Sequence, residues 1–156
     1  MPGVELIYYD VSGTTAAEIN AAVERARPTD DTGQRVDGLT EHRFLWRWPV
    51  INGRCDLSRA TVEFQARVTL PRLVNLASLP ARLQQDWARH LAGLEEHEKG
   101  HVLNAWNRRG DILAAIKGAT CATANDAAKA VLRAIDEADI EYDRRTDHGR
   151  RQVAPL

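Results

Sequence analysis

His97-Glu98-Lys99-Gly100-His101 sits inside the longest run of helical periodicity in the chain. Residues i and i+4 are neighbours on a helix, so both imidazoles leave one face and are spaced to hold a single metal ion. Glu98 stands beside that face, close enough to bind a metal-held water without joining the ligands. Zinc suits two imidazoles plus a third N or O donor, and an open fourth position lowers the pKa of a bound water to ~7. A carboxylate general base over such water is the working part of a metallopeptidase. The pattern is short enough to arise by chance, so its setting matters. Trp87, Leu91 and Leu94 recur upstream at helical spacing, which turns one face of this helix into a core. Imidazoles on a core-facing stripe need partners, because unsatisfied polar groups are costly there.

Ser78-Leu79-Pro80 reads as the entry to this helix, with Ser78 as N-cap and Pro80 in the first turn. The periodicity predicts a helix from about residue 81 to near 117, with Gly93, Gly100 and Gly110 as weak points. Before it, Thr61 to Leu70 alternates cleanly. Val62, Phe64, Ala66, Val68 and Leu70 face one way, and Pro71 ends the strand. Leu39 to Val50 also alternates, and Asn52-Gly53 is a strong hairpin signal joining the two. Trp46 and Trp48 are read as core. Val4 to Tyr9 is β-branched and aromatic, a first strand. Thr15-Ala16-Ala17-Glu18 is a capping box opening a helix that ends near Arg27, ahead of Pro28.

After the central helix, residues 118–124 form a loop. Thr123 or Asn125 caps a last helix with an apolar stripe of Val131, Leu132, Ile135, Ala138 and Tyr142. The fold class is therefore α+β: a small antiparallel or mixed sheet with a backing helix, then a long metal-binding helix and a final helix. At 156 residues this is one domain, residues 1–156, with 150–156 read as a loose tail. A net charge of −1 gives no electrostatic reason to expect nucleic acid as a partner. No apolar run approaches the ~20 residues of a membrane span, and no leader is visible at Met1. Cys55 and Cys121 are two reduced buried thiols or one disulfide.

This order of elements resembles the zincin metallopeptidases. More closely, the chain is similar to Domain of Unknown Function 922, bacterial proteins described as predicted secreted zinc-dependent proteases. Three places carry the resemblance: Tyr9-Asp10-Val11-Ser12-Gly13-Thr14; Trp87 with His97-Glu98-Lys99-Gly100-His101; and Tyr142-Asp143-Arg144-Arg145-Thr146-Asp147-His148-Gly149. The resemblance implies a zincin-like fold and a Zn2+ cofactor. It also implies a Cys55–Cys121 disulfide and a secreted or periplasmic location, with the cytoplasm as the alternative because the leader is missing.

The expected activity is hydrolysis of peptide bonds by a zinc-bound water that Glu98 activates. The alternative is a non-catalytic peptide- or protein-binding relative with a structural or absent metal. His97 and His101 are the first two ligands. No further His follows closely, since Val102 to Trp106 offers none, so the third donor comes from the last helix or tail. His148 is the first choice, as an imidazole within the resembling signature, against its reading as a solvated tail histidine. Glu137 and Glu141 are the runners-up. Tyr142 is a candidate for hydrogen-bonding the oxyanion or else closes the apolar stripe. Asp143 or Asp139 is expected to hold a ligand histidine through its second ring nitrogen, with surface charge the stronger competing reading for Asp139. His42 and His90 lack companions at ligand spacing and are read as structural or exposed. The expected partner is an extended peptide added to a sheet edge, and the oligomeric state stays open.

Overall fold

The computed structural model describes residues 3–156. Three strands form a mixed sheet. β5 (Thr61–Leu73) is central, β1 (Val4–Val11) runs parallel to it on one side, and β2 (Leu39–Arg47) runs antiparallel on the other. Phe44 lies opposite Phe64 and His42 opposite Ala66, so the alternating apolar sets of both strands share one face. A register slip of one residue would carry that set into water.

The strand-to-strand turn differs from expectation. Asn52 and Gly53 take positive φ (52° and 75°), as a tight two-residue hairpin turn requires. The hairpin they close is a separate small one, β3 (Val50–Ile51) with β4 (Arg54–Cys55), and a short 3₁₀ turn then leads into β5. Pro71 does not end β5. Ala66 N–H donates to Gly3 O, so even-numbered amides of β5 point to β1 and odd ones to β2. β2 stops opposite Thr69. Position 71 therefore points where no strand stands, and a missing N–H costs no ladder bond.

α1 (Ala16–Ala26) follows β1. Its Thr15 cap accepts from Glu18 N–H at 3.2 Å, while the Glu18 carboxylate takes the Thr14 N–H and hydroxyl. The next loop returns to the sheet through Tyr9, whose hydroxyl donates to Asp37 O at 2.7 Å.

α2 (Ala81–Asn107) carries the histidine pair and is followed by α3 (Arg109–Lys117) and α4 (Ala124–Thr146). The single long helix expected to reach residue 117 is broken at Arg108, whose N–H bonds back to Ala105 O and Trp106 O. Asn107 and Gly110 flank the break, and both are poor helix residues. Ser78 is not the cap of α2; its hydroxyl donates to Asn75 O, and Pro80 precedes the first turn. Asn125 also has another use, accepting from Trp46 Nε1 at 3.0 Å.

The inner sheet face packs Phe44, Phe64, Val68 and Leu70 against Leu94 and Val102 of α2, Ile112 and Ile116 of α3, and Ile135 of α4. The three isoleucines are fully buried, each worth about 1.5–3 kcal/mol of transfer free energy. A second cluster joins Ile19 and Val23 of α1 to Val11, Leu73 and Trp87. Cys55 and Cys121 form a disulfide, tying β4 to the loop between α3 and α4.

Residues 150–156 are not loose. Val153 packs against the main core and Leu156 against the second. Gly93 makes room for them, since a Cβ there would come within 2.6 Å of Gln152 O.

Candidate metal centre

α4 lies against α2 so that two of its carboxylates, one helical turn apart, face the histidine pair. Asp143 Oδ1 is 3.1 Å from His97 Nε2 and 2.9 Å from His101 Nε2, and the two Nε2 atoms are 3.3 Å apart. These three side chains form one of two His/carboxylate groups, among the described residues, compact enough to hold an ion. The far side of each ring is already engaged. His97 Nδ1 donates to Gln152 Oε1 at 2.8 Å, and His101 Nδ1 donates to Asp139 Oδ1 at 3.0 Å. With the proton of each ring on Nδ1, both Nε2 lone pairs would face one another and the carboxylate, a place that either a proton shared with Asp143 or a metal cation can fill.

The spacing of these three atoms, 2.9–3.3 Å, is close to what the group the motif implies would need. Zinc bonds of about 2.0–2.1 Å at tetrahedral angles separate neighbouring donors by about 3.3–3.4 Å. Soft thiolates are absent from the set, and the two imidazoles and one carboxylate suit zinc. Two imidazoles and a carboxylate would leave a fourth position of a tetrahedral ion without a protein donor.

The electrostatics follow from the same contacts. Burial opposes charge on His101, yet its bonds to Asp139 and Asp143 outweigh burial and hold its pKa up to about 10. Burial likewise works against Asp143, but the two histidines hold its carboxyl far below the usual carboxylate range. Asp139 is held low in the same way, against burial, by His101, His42 and Asn104.

Glu98 is 4% exposed. Burial raises its pKa, opposed by a bond from Thr40 Oγ1 to Oε2 at 2.7 Å and by the nearby histidines. Gly38 admits the carboxylate, since a Cβ there would stand 2.7 Å from Oε1. Gly100 admits Tyr142 instead of a strand or substrate, for any Cβ at position 100 would overlap the tyrosine hydroxyl. The Tyr142 ring stacks on His97 at 5.0 Å and stands edge-on to His101 at 4.9 Å, and its hydroxyl accepts from Gln152 Nε2. Tyr142 thus buttresses both rings.

The remaining candidates stand outside this group of three, with His148 at its border. His148 follows α4 in a run of three left-handed residues, Asp147, His148 and Gly149 (φ 51°, 52° and 85°). That turn leaves its side chain 47% exposed, with Nδ1 3.9 Å from Asp143 Oδ2. Glu137 is exposed, and Glu141 is paired with Arg144 at the surface. Asp143, expected behind a histidine, stands where the third donor was sought. Asp139, the other candidate for holding a histidine, takes the place behind His101 instead of standing as surface charge. His42, partly buried, meets the other Asp139 oxygen at 2.7 Å, and His90 donates from Nδ1 to Ala154 O at 2.8 Å.

Sequence reasoning missed Gln152, Thr40 and Asn104. The signal for Asp139 was present: Ile135, Asp139, Tyr142 and Asp143 share one face of α4, so acidic residues stand on an apolar stripe. No comparable pattern marks Gln152.

The fold and the site define an α+β domain in which a helix-borne histidine pair faces a carboxylate from a second helix. Residues 6–149 match the family described as "Bacterial protein of unknown function (DUF922)", and the chain belongs to that family. No curated protein and no solved structure matches it.

Proposed function

We propose that the protein is a zinc-dependent peptidase in which His97, His101 and Asp143 hold the metal and Glu98 is the general base. One observation carries the reading: two Nε2 atoms and a carboxylate oxygen lie within 2.9–3.3 Å of one another while both Nδ1 atoms are turned outward to acceptors. Zinc in that position would act as a Lewis acid and lower the pKa of a bound water to about 7. Glu98 supplies the proton acceptor. A raised pKa suits a group that must take a proton and give it back near neutrality. Thr40 pins one of its oxygens and sets its direction. β2 is an edge strand whose Thr40 and His42 touch Glu98 and Asp139, so a peptide extending the sheet there would pass beside the site.

The disulfide supports an oxidising location, secreted or periplasmic. Among the described residues no helix is long and apolar enough to cross a membrane. The competing reading, a peptide-binding relative without catalysis, gives no reason for a buried base beside the metal position.

Metal analysis after mild purification tests the site, with one zinc per chain expected. Asp143→Ala should lose zinc by more than the about 10–100-fold that outer-shell changes cost, whereas His148→Ala should retain it. Zinc lost on His148→Ala and kept on Asp143→Ala would reverse the ligand assignment. Glu98→Ala should keep zinc and lose cleavage of a denatured protein. Equal cleavage by this variant and the zinc-loaded wild type would remove the peptidase reading.

A further inference from the structure

The segment 149–156 does more than cover α2. Gly149 packs on the His97 ring, where a Cβ would stand 2.8 Å from Cγ, and its φ of 85° turns the chain back across the helix. Gln152 then meets His97 and Tyr142 together, accepting from His97 Nδ1 at 2.8 Å and donating to Tyr142 Oη at 3.1 Å. Two turns back along α2, His90 holds the same segment by Ala154 O. Residues 90 and 97 are seven apart and so share a helix face, with Gly93 between them opening the groove.

We propose that Gln152 is the positioning residue for His97, and that 149–156 is a strap whose docking is coupled to metal binding. The inference rests on the metal reading above. An acceptor on Nδ1 fixes the imidazole with its proton on that nitrogen and leaves Nε2 free as a donor to a cation. His101 gets this from Asp139, on the same helix as Asp143. His97 gets it from a segment outside every helix and strand, tied by a few bonds. Free energies of binding are reciprocal: if the docked strap favours the metal, the metal favours the docked strap by the same factor. Gln152 is uncharged, so it orients His97 without adding a second anion beside Asp143.

The test uses the full chain, wild type and two variants of position 152, and three readouts. In the metal-free wild type, long-range proton–nitrogen NMR should show the His97 proton on Nδ1, and Gln152→Ala should lose that preference. Titration with zinc alone should show Gln152→Ala weakened by about 10–100-fold, the usual cost of an outer-shell change. Gln152→Glu keeps the acceptor oxygen and should bind zinc at least as tightly as wild type. Zinc should also slow hydrogen exchange at the amides of residues 150–153, which are bonded within the turn.

An unchanged His97 tautomer in Gln152→Ala, or zinc affinity within twofold of wild type, overturns the positioning role even if wild type binds zinc well. Should Gln152→Ala fail to fold, a tenfold weaker Gln152→Glu overturns it instead. Exchange at 150–153 indifferent to zinc overturns the strap. A wild type that binds no zinc overturns the metal reading itself, and the tautomer readout still decides whether Gln152 orients His97.

Discussion

Glu98 places an ionisable group where burial opposes its charge. Its raised pKa means the folded state holds that proton more tightly than the unfolded chain does. Stability is therefore lost as pH rises from the ordinary carboxylate range through the folded value, and the loss is complete above it. In metal-free protein, Glu98→Gln should melt a few degrees higher than wild type at pH 8, with the gap closing in acid. Thermal melts across pH check this, and a gap that widens in acid would refute it. Gly100 and Gly149 make the complementary point about space. Alanine at 100 drives into the Tyr142 hydroxyl, and alanine at 149 meets both His97 and a positive φ. Overpacking of this kind costs about 1–3 kcal/mol. Both variants should lower the denaturation midpoint and, on the proposed metal reading, loosen zinc together, whereas Gly33→Ala, with nothing within 4 Å, carries only the backbone penalty of its φ of 86°.

At the scale of elements, α1 offers a second pH signature of opposite sign. The Thr14 N–H and hydroxyl hold the Glu18 carboxylate below its usual range. That stabilisation is complete above the ordinary carboxylate range and is lost as pH falls through the lower folded value. Glu18→Gln should be less stable than wild type at neutral pH and indistinguishable from it in strong acid, as denaturant titrations at several pH values would show. α2 and β5 were legible because their apolar residues recur at periods that only one structure satisfies: Trp87, Leu91 and Leu94 on a helix, Val62 through Leu70 on a strand. The end of β5 was not, because a proline's cost depends on which neighbour its missing N–H would face. The place of Asp143 beside the histidine pair was hidden for a related reason. His148 has the better ligand chemistry, but the left-handed turn at 147–149 sets where it points, and periodicity does not encode such a turn. Asp143 follows from helix phase alone, one turn beyond Asp139.

For the molecule as a whole, the order of elements in the sequence already gave an α+β fold, and the structure adds the parallel pairing of β1 with β5. What the sequence could not convey is the path of 149–156, since its anchors lie on α1 and α2, as far as 136 residues away at Asn20. The Cys55–Cys121 cross-link spans 66 residues and encloses both histidines but not Asp143. On the chain-entropy account a loop of that length is worth about 4 kcal/mol. Domains of ordinary size stand only about 5–15 kcal/mol above their unfolded state. Denaturant curves with and without reductant should therefore differ by up to that 4 kcal/mol. A chain folding where glutathione keeps thiols apart would spend much more of its time open to proteases than one that matures after export. The bond thus makes this protein's lifetime a report of the compartment in which it was assembled.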